Sequence, residues 1–220
     1  MTRIVVLANS WKHHDWCIAG IDLDTGKWVR PVTGLDDGRI PKKAMKLDGY
    51  FPKLLDVLEI PLDSTGPDFG FESENRTIMS GRWRHRGTLS YRDLRRFYNR
   101  REHILHNHHK YVTRREMQAR PFEERSTLQL IYTDKFRVRD GRKSTTDKHN
   151  WKGIITSGGQ ELEVGITDPS FSLKLDTGDK PLPSCLLTMS LSMPYKPANW
   201  GTDQEAVFWK LIAGVIEVPQ

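Results

Sequence analysis

Short runs of apolar and β-branched residues, separated by turn residues, recur along the whole chain and restrict what it can fold into. Arg3–Ala8, Trp16–Leu23, Lys27–Thr33 and Leu54–Leu62 read as strands in the first half. Leu128–Thr133, Phe136–Asp140, Trp151–Thr156, Glu161–Thr167, Ser184–Met193 and Phe208–Val218 read as strands in the second. Asp24-Thr25-Gly26-Lys27 and Ser157-Gly158-Gly159 carry the residues of hairpin turns. Asn75–Met79 and Gly87–Leu89 are shorter strand candidates. The pattern predicts a mainly β protein.

The centre of the chain breaks this pattern. Tyr91, Leu94, Phe97 and Tyr98 recur at helical spacing and continue to Ile104 and Leu105, which predicts a helix ending near Asn107. Ser90 is placed to cap it, with Asp93 three residues on where an acid favours a helix N-terminus. Thr113–Ala119 predicts a second, shorter helix, and Arg120-Pro121 a break. The expected organisation is a first β unit over 1–81, a basic helical segment over 82–125 and a second β unit over 126–220.

At 220 residues the chain is long enough for one large domain or two small ones. It has no apolar stretch of the roughly 18 residues that a membrane-spanning helix needs. Its opening does not read as a signal peptide. Cys17 and Cys185 are too few for a disulfide framework or a thiolate zinc site, so a cytoplasmic protein with reduced thiols is expected.

Charge is concentrated. Arg82–Arg125 holds thirteen Lys and Arg against five Asp and Glu, a net +8 in a chain whose total is +6. Five of the eight histidines lie there too. Such a block attracts a polyanion, and nucleic acid is the commonest. The alternative is a solvated face whose arginines pair with acids elsewhere.

The two halves share a faint pattern. Trp16, Gly20, Gly26 and Thr33 are echoed by Trp151, Gly153, Gly158 and Thr167. Ile18–Ile21 also resembles Ile212–Val215. Two small β units with a helix between strands describe a pair of OB-like barrels, packed together and carrying a helical insertion. The runs Arg3–Ser10, Trp16–Asp22 and Gly26–Val32, with Val164–Pro169 and Lys210–Ile216 later, resemble the prokaryotic dual OB-containing domain family. The resemblance reaches both ends of the chain. It implies two OB-like barrels and a nucleic-acid-associated role in bacteria or archaea, and it supplies no catalytic residues.

Several surfaces suit nucleic acid. The loop after the first strand offers Trp11 to a base and Lys12 and His13 to phosphate. Trp28 and Arg30 share one strand face by two-residue alternation. Lys135, Arg137 and Arg139 alternate likewise, and three like charges on one face repel unless an anion or acidic neighbours are present. Lys152 and Lys210 are candidates to extend that face. Arg92, Arg95, Arg96, Arg100 and Arg101 would meet phosphates, with Trp83 as a further stacking surface.

Metal and hydrolase motifs are missing. His103 and His106 are three apart but lack a matching acid or Cys, so no metal or other cofactor is expected. Asp168 before Pro169 is a turn signal. The sequence therefore predicts a non-catalytic binder of nucleic acid, single-stranded in form, with no membrane contact. The alternatives are an enzyme on nucleic acid or nucleotides with a site between the barrels, and a nucleotide-sensing or protein-interaction module with a protein partner or a second copy.

Overall fold

The computed structural model describes residues 1–12, 15–41, 43–45, 47, 49–98 and 102–219. His13, Arg100 and Arg101 lie outside the described residues, as do the side chains of Trp11 and Lys12. The chain divides into two compact units, Met1–Phe97 and Tyr98–Gln220, each with its own sheet.

The first unit holds β1 (Thr2–Lys12), β2 (Asp15–Asp22), β3 (Trp28–Val32), β4 (Asp56–Ile60), β5 (Asn75–Thr77) and β6 (Arg84–Thr88). They pair in the order β5-β3-β2-β1-β4-β6. β1 is antiparallel to both β2 and β4, and β3 runs parallel to β5. A bridge between Leu62 and Ile78 joins the chain after β4 to the chain after β5. Asp63 N–H donates to Thr77 O at 2.9 Å and Met79 N–H to Pro61 O at 2.8 Å in the same place. The sheet thus bends back on itself, although no continuous ladder closes it among the described residues.

Ile4–Ala8 of β1 are buried on both faces of the strand, and alternation decides which side chains share a core. Ile4 and Val6 of β1, Leu58 and Ile60 of β4, Ile18 and Val29 project into one core with Ile40, Met45 and Trp83. Burying each of the larger aliphatic side chains contributes roughly 1.5–3 kcal/mol. Gly20 of β2 sits opposite Val6 beside a bulge in β1, and a Cβ there would lie 2.0 Å from Val5 O. The β2–β3 connection turns at Gly26 (φ +71°), with Asp22 accepting from the Asp24 amide and the Thr25 hydroxyl.

The central helix is much shorter than expected. Ser90 and Asp93 form a capping box, but the helix is a 3-10 turn over Tyr91–Arg96 with Leu94 as its buried residue. Farther on, the chain leaves helical geometry altogether: Leu105 and His106 have φ of +44° and +82°. Strand side chains from elsewhere take the amides that a helix would use. Ile104 N–H donates to Ser157 Oγ at 2.9 Å and Leu105 N–H to Gln129 Oε1 at 2.7 Å. Residues 82–125 therefore hold strands and short helical turns, and the boundary between the two units falls inside them.

The second unit holds β7 (Tyr111–Val112), α1 (Arg114–Gln118), β8 (Leu128–Thr133), β9 (Arg137–Asp140), β10 (Trp151–Ser157), β11 (Gln160–Ile166), α2 (Pro169–Asp176), β12 (Cys185–Leu191) and β13 (Phe208–Glu217). The order is β8-β12-β13-β11-β10-β9, with β7 paired to the start of β13. β9-β10-β11 is an antiparallel meander whose last strand runs parallel to β13. The first unit has the same arrangement in β1-β2-β3 and β5. The faint echo around Trp16 and Trp151 falls on the second and third strands of each meander.

Two short helices are set by their caps. Thr113 and Glu116 form the capping box of α1. Asp168 caps α2, accepting from the amides of Ser170 and Phe171, while its other oxygen accepts from Val215 N–H of β13 at 3.0 Å. Phe171 and Leu175 of α2 are buried. Asp168 thus ties a helix to a strand and is more than the turn residue expected before Pro169.

Lys210 is expected to make stability depend on alkaline pH. It is 2% exposed on β13, and its ammonium donates to Asn107 O and Oδ1 at 2.6 and 2.9 Å. Burial lowers its pKa from 10.5 to about 8, against the opposing pull of Glu116. Between those values the folded state binds fewer protons than the unfolded one. The cost of the buried charge is therefore full below pH 8 and disappears as pH approaches 10.5. A shift of this size corresponds to roughly 3 kcal/mol. Lys210→Met removes the titration yet leaves Asn107 O with the Ser157 hydroxyl and Oδ1 with the His109 amide. Urea unfolding at pH 8 and 10 should show the wild type gaining on the variant by up to that amount. Parallel curves would show that Lys210 carries no such cost.

Candidate nucleic-acid interface

The most basic surface of the first unit is its edge strand. β6 is the end member of its sheet, and all five of its residues are exposed. Its sequence, with the turn that follows, packs six arginines and one acid into residues 82–97. Arg82, Arg84, Arg86, Arg92, Arg95 and Arg96 all face solvent. Arg86 pairs with Glu59 of β4. Arg84, Arg92, Arg95 and Arg96 make no ion pair among the described residues. Arg96 lies over the Phe97 ring at 4.6 Å.

A cavity of about 450 Å³ lies beside this strand, lined by Leu47, Tyr50, Arg82, Trp83, Arg84, His85 and Arg86. Asp56 organises its mouth. The buried carboxylate accepts from Tyr50 OH and from the Lys53 amide at 2.7 Å each, and from Thr88 Oγ1 at 3.2 Å. His85 Nε2 stands 3.2 Å from its other contact point, Oδ1. These bonds hold the Tyr50 and His85 rings 5.3 Å apart at 52°. Burial and the bond to Asp56 push the Tyr50 hydroxyl up to about 12, so it remains a donor at neutral pH. Guanidinium groups beside fixed rings can hold phosphates and a flat base together.

Other expected contacts sit differently. Trp83 is 8% exposed and packs in the core, so it offers no stacking face. Arg30 is buried as well. Its Nη1 lies 2.5 Å from Glu72 Oε1, and Asn75 Nδ2 donates to the second oxygen of Glu72. Burial alone would lower the Arg30 guanidinium, but Glu72 and Glu74 raise it. Its partner lies 42 residues away in sequence, beyond what strand alternation shows. Trp28 is half-buried beside it.

The second unit neutralises its own basic strand. Arg137 pairs with Glu161, and Arg139 makes a two-pronged bond to Glu163 at 2.6 and 2.7 Å. The acids of β11 thus supply the neighbours that three like charges required. Lys135 precedes the strand and remains exposed. Lys152 lies opposite Arg139 on β10, whereas Lys210 is interior and cannot extend the surface. Sequence reasoning missed the aromatic group of Tyr111, Trp200 and Trp209. Nothing local marks these rings as neighbours, since cross-strand pairing brings them together.

Among the described residues no three His, Cys, Asp or Glu side chains gather to hold a metal ion. No described helix is long and apolar enough to cross a membrane.

Two β units, each a three-strand meander whose last strand takes a parallel partner, define a protein of the OB class. The chain matches the dual OB-containing domain family over residues 2–215, nearly its whole length, and belongs to that family. No curated protein and no solved structure matches it.

Proposed function

We propose that the chain binds nucleic acid, prefers a single strand, and does so without chemistry. The observation that carries this is the exposed arginine series of residues 82–97 beside a ring-lined cavity on an edge strand. Membership of an OB family supports it, because such folds commonly take oligonucleotides. The preference for a single strand rests on Tyr50 and His85, whose rings suit an unstacked base. Cys17 and Cys185 are not joined in a disulfide, which suits a reducing cytoplasm.

Fluorescence anisotropy with labelled single-stranded and duplex DNA and RNA tests this. Each phosphate contact adds about −0.7 to the salt slope for a single strand. Five contacts would weaken binding roughly a hundredfold between about 50 and 200 mM salt. Absence of binding at either salt, or a slope near zero, overturns the reading. Cleavage of the oligonucleotide in the presence of magnesium overturns its non-catalytic part.

A further inference from the structure

A second group of rings lies wholly within the second unit. Tyr111 of β7 is opposite Trp209 of β13, their ring centroids 5.3 Å apart at 65°. Trp200, in the connection between β12 and β13, stands 5.6 Å from each. His109 stacks on Tyr111 at 6.3 Å and 23°. The three larger rings are half-exposed and His109 is exposed.

The group is fixed from below. Trp209 Nε1–H donates to Tyr195 O at 3.1 Å, and its amide donates to Ser192 Oγ at 2.9 Å. Lys210 holds Asn107, whose Oδ1 accepts the His109 amide. Two indoles, a phenol and an imidazole held half in water, with their backbones tied down, form a surface built for a flat partner rather than a piece of core.

Charge selects the partner. Residues 103–115 contain no acid, and Lys110, Arg114 and Arg115 are exposed there. Glu116 is turned inward onto Asn107 and Thr113. Asp203 and Glu205 are the acids that follow Trp200 in the chain. Lys110 adjoins Tyr111, and Arg114 and Arg115 follow Tyr111 by three and four residues. Positive charge thus outnumbers Asp203, which stands beside Gly201, and disfavours a cationic ligand, the other common guest of clustered rings. A flat group joined to phosphates would meet attraction.

We propose that Tyr111, Trp200 and Trp209, with His109 beside them, form a ledge that stacks an unpaired nucleobase whose adjoining phosphates face Lys110, Arg114 and Arg115. This rests on the nucleic-acid reading above and adds, within the second unit, a base contact separate from the Tyr50 and His85 rings of the first.

Trp200 is the residue to change, because it stands in a connection whereas Tyr111 and Trp209 belong to the ladder. The full chain, Trp200→Ala and Trp200→Phe would be titrated against an oligothymidylate of about twelve nucleotides. The same proteins would be titrated against inorganic polyphosphate, a polyanion without bases. Trp200→Ala should lose roughly tenfold on oligothymidylate and nothing on polyphosphate, with Trp200→Phe recovering most of the loss. Unlabelled oligothymidylate should quench the indole emission of the unmodified chain and polyphosphate should not, which needs no variant to fold. Unchanged affinity in Trp200→Ala, or equal losses on both ligands, overturns the ledge alone. Failure of the unmodified chain to bind oligothymidylate at low salt overturns the ledge and the function together.

Discussion

Reversing three arginines, Arg84→Glu with Arg95→Glu and Arg96→Glu, should cut affinity for a single-stranded oligonucleotide about a thousandfold. All three are exposed, and none makes an ion pair among the described residues. Their loss therefore strands no buried carboxylate. A charge-assisted hydrogen bond is worth roughly 1.5 kcal/mol at the low end of its range, so three come to about 4.5 kcal/mol. That is a little over a thousandfold in Kd. Surface changes of this kind alter stability by about 0.5 kcal/mol or less each. Anisotropy titration would report the loss, and a thermal melt would confirm the fold. Affinity within a fewfold of the unmodified chain, with the melt unchanged, would remove β6 and its following turn from the interface. Arg86 is left in place because Glu59 depends on it.

Gly20→Ala should destabilise the first unit by about 3 kcal/mol, near the upper end for overpacking. The added methyl would stand 2.0 Å from Val5 O and 2.8 Å from its carbonyl carbon. Both are backbone atoms of the strand that pairs with β2 and β4 at once. No rotamer change relieves such a contact. The strands must part, and the ladder around the Val6 bulge must reform. Urea unfolding followed by tryptophan emission would show an early transition for the first unit. A midpoint shift corresponding to less than about 1 kcal/mol would mean that β1 yields more easily than a central strand should.

Much of this architecture was readable because its causes are local. The apolar, β-branched runs Arg3–Ala8 and Leu54–Leu62, the glycines at 26, 158 and 159, and the pairs Ser90/Asp93 and Thr113/Glu116 act within a few residues. The failures have distant causes. The stretch leading to Asn107 has helical spacing, yet Ser157 and Gln129 claim its amides from strands. Arg137 and Arg139 look like an anion site until the register of β10 and β11 brings Glu161 and Glu163 across. Arg30 likewise finds Glu72 only through the parallel pairing of β3 and β5. Helix α2 was missed although its signals were local: Asp168 before Pro169 is a cap with proline in the first turn, and Phe171 and Leu175 are four apart. For the aromatic residues, type alone says nothing of depth. Trp83 went inside, while Trp200 and Trp209 stayed half out.

The arginines of β6 have a second consequence. An edge strand leaves one row of amides and carbonyls open to any neighbouring chain that can add a strand. Like charges along that border would repel a second copy presenting the same strand. The surface proposed to draw a polyanion is thereby also one that opposes strand addition. Under selection, the density of positive charge on this border is bounded from below by self-association as well as by affinity. Loss of the charge at position 84 would thus cost on both counts.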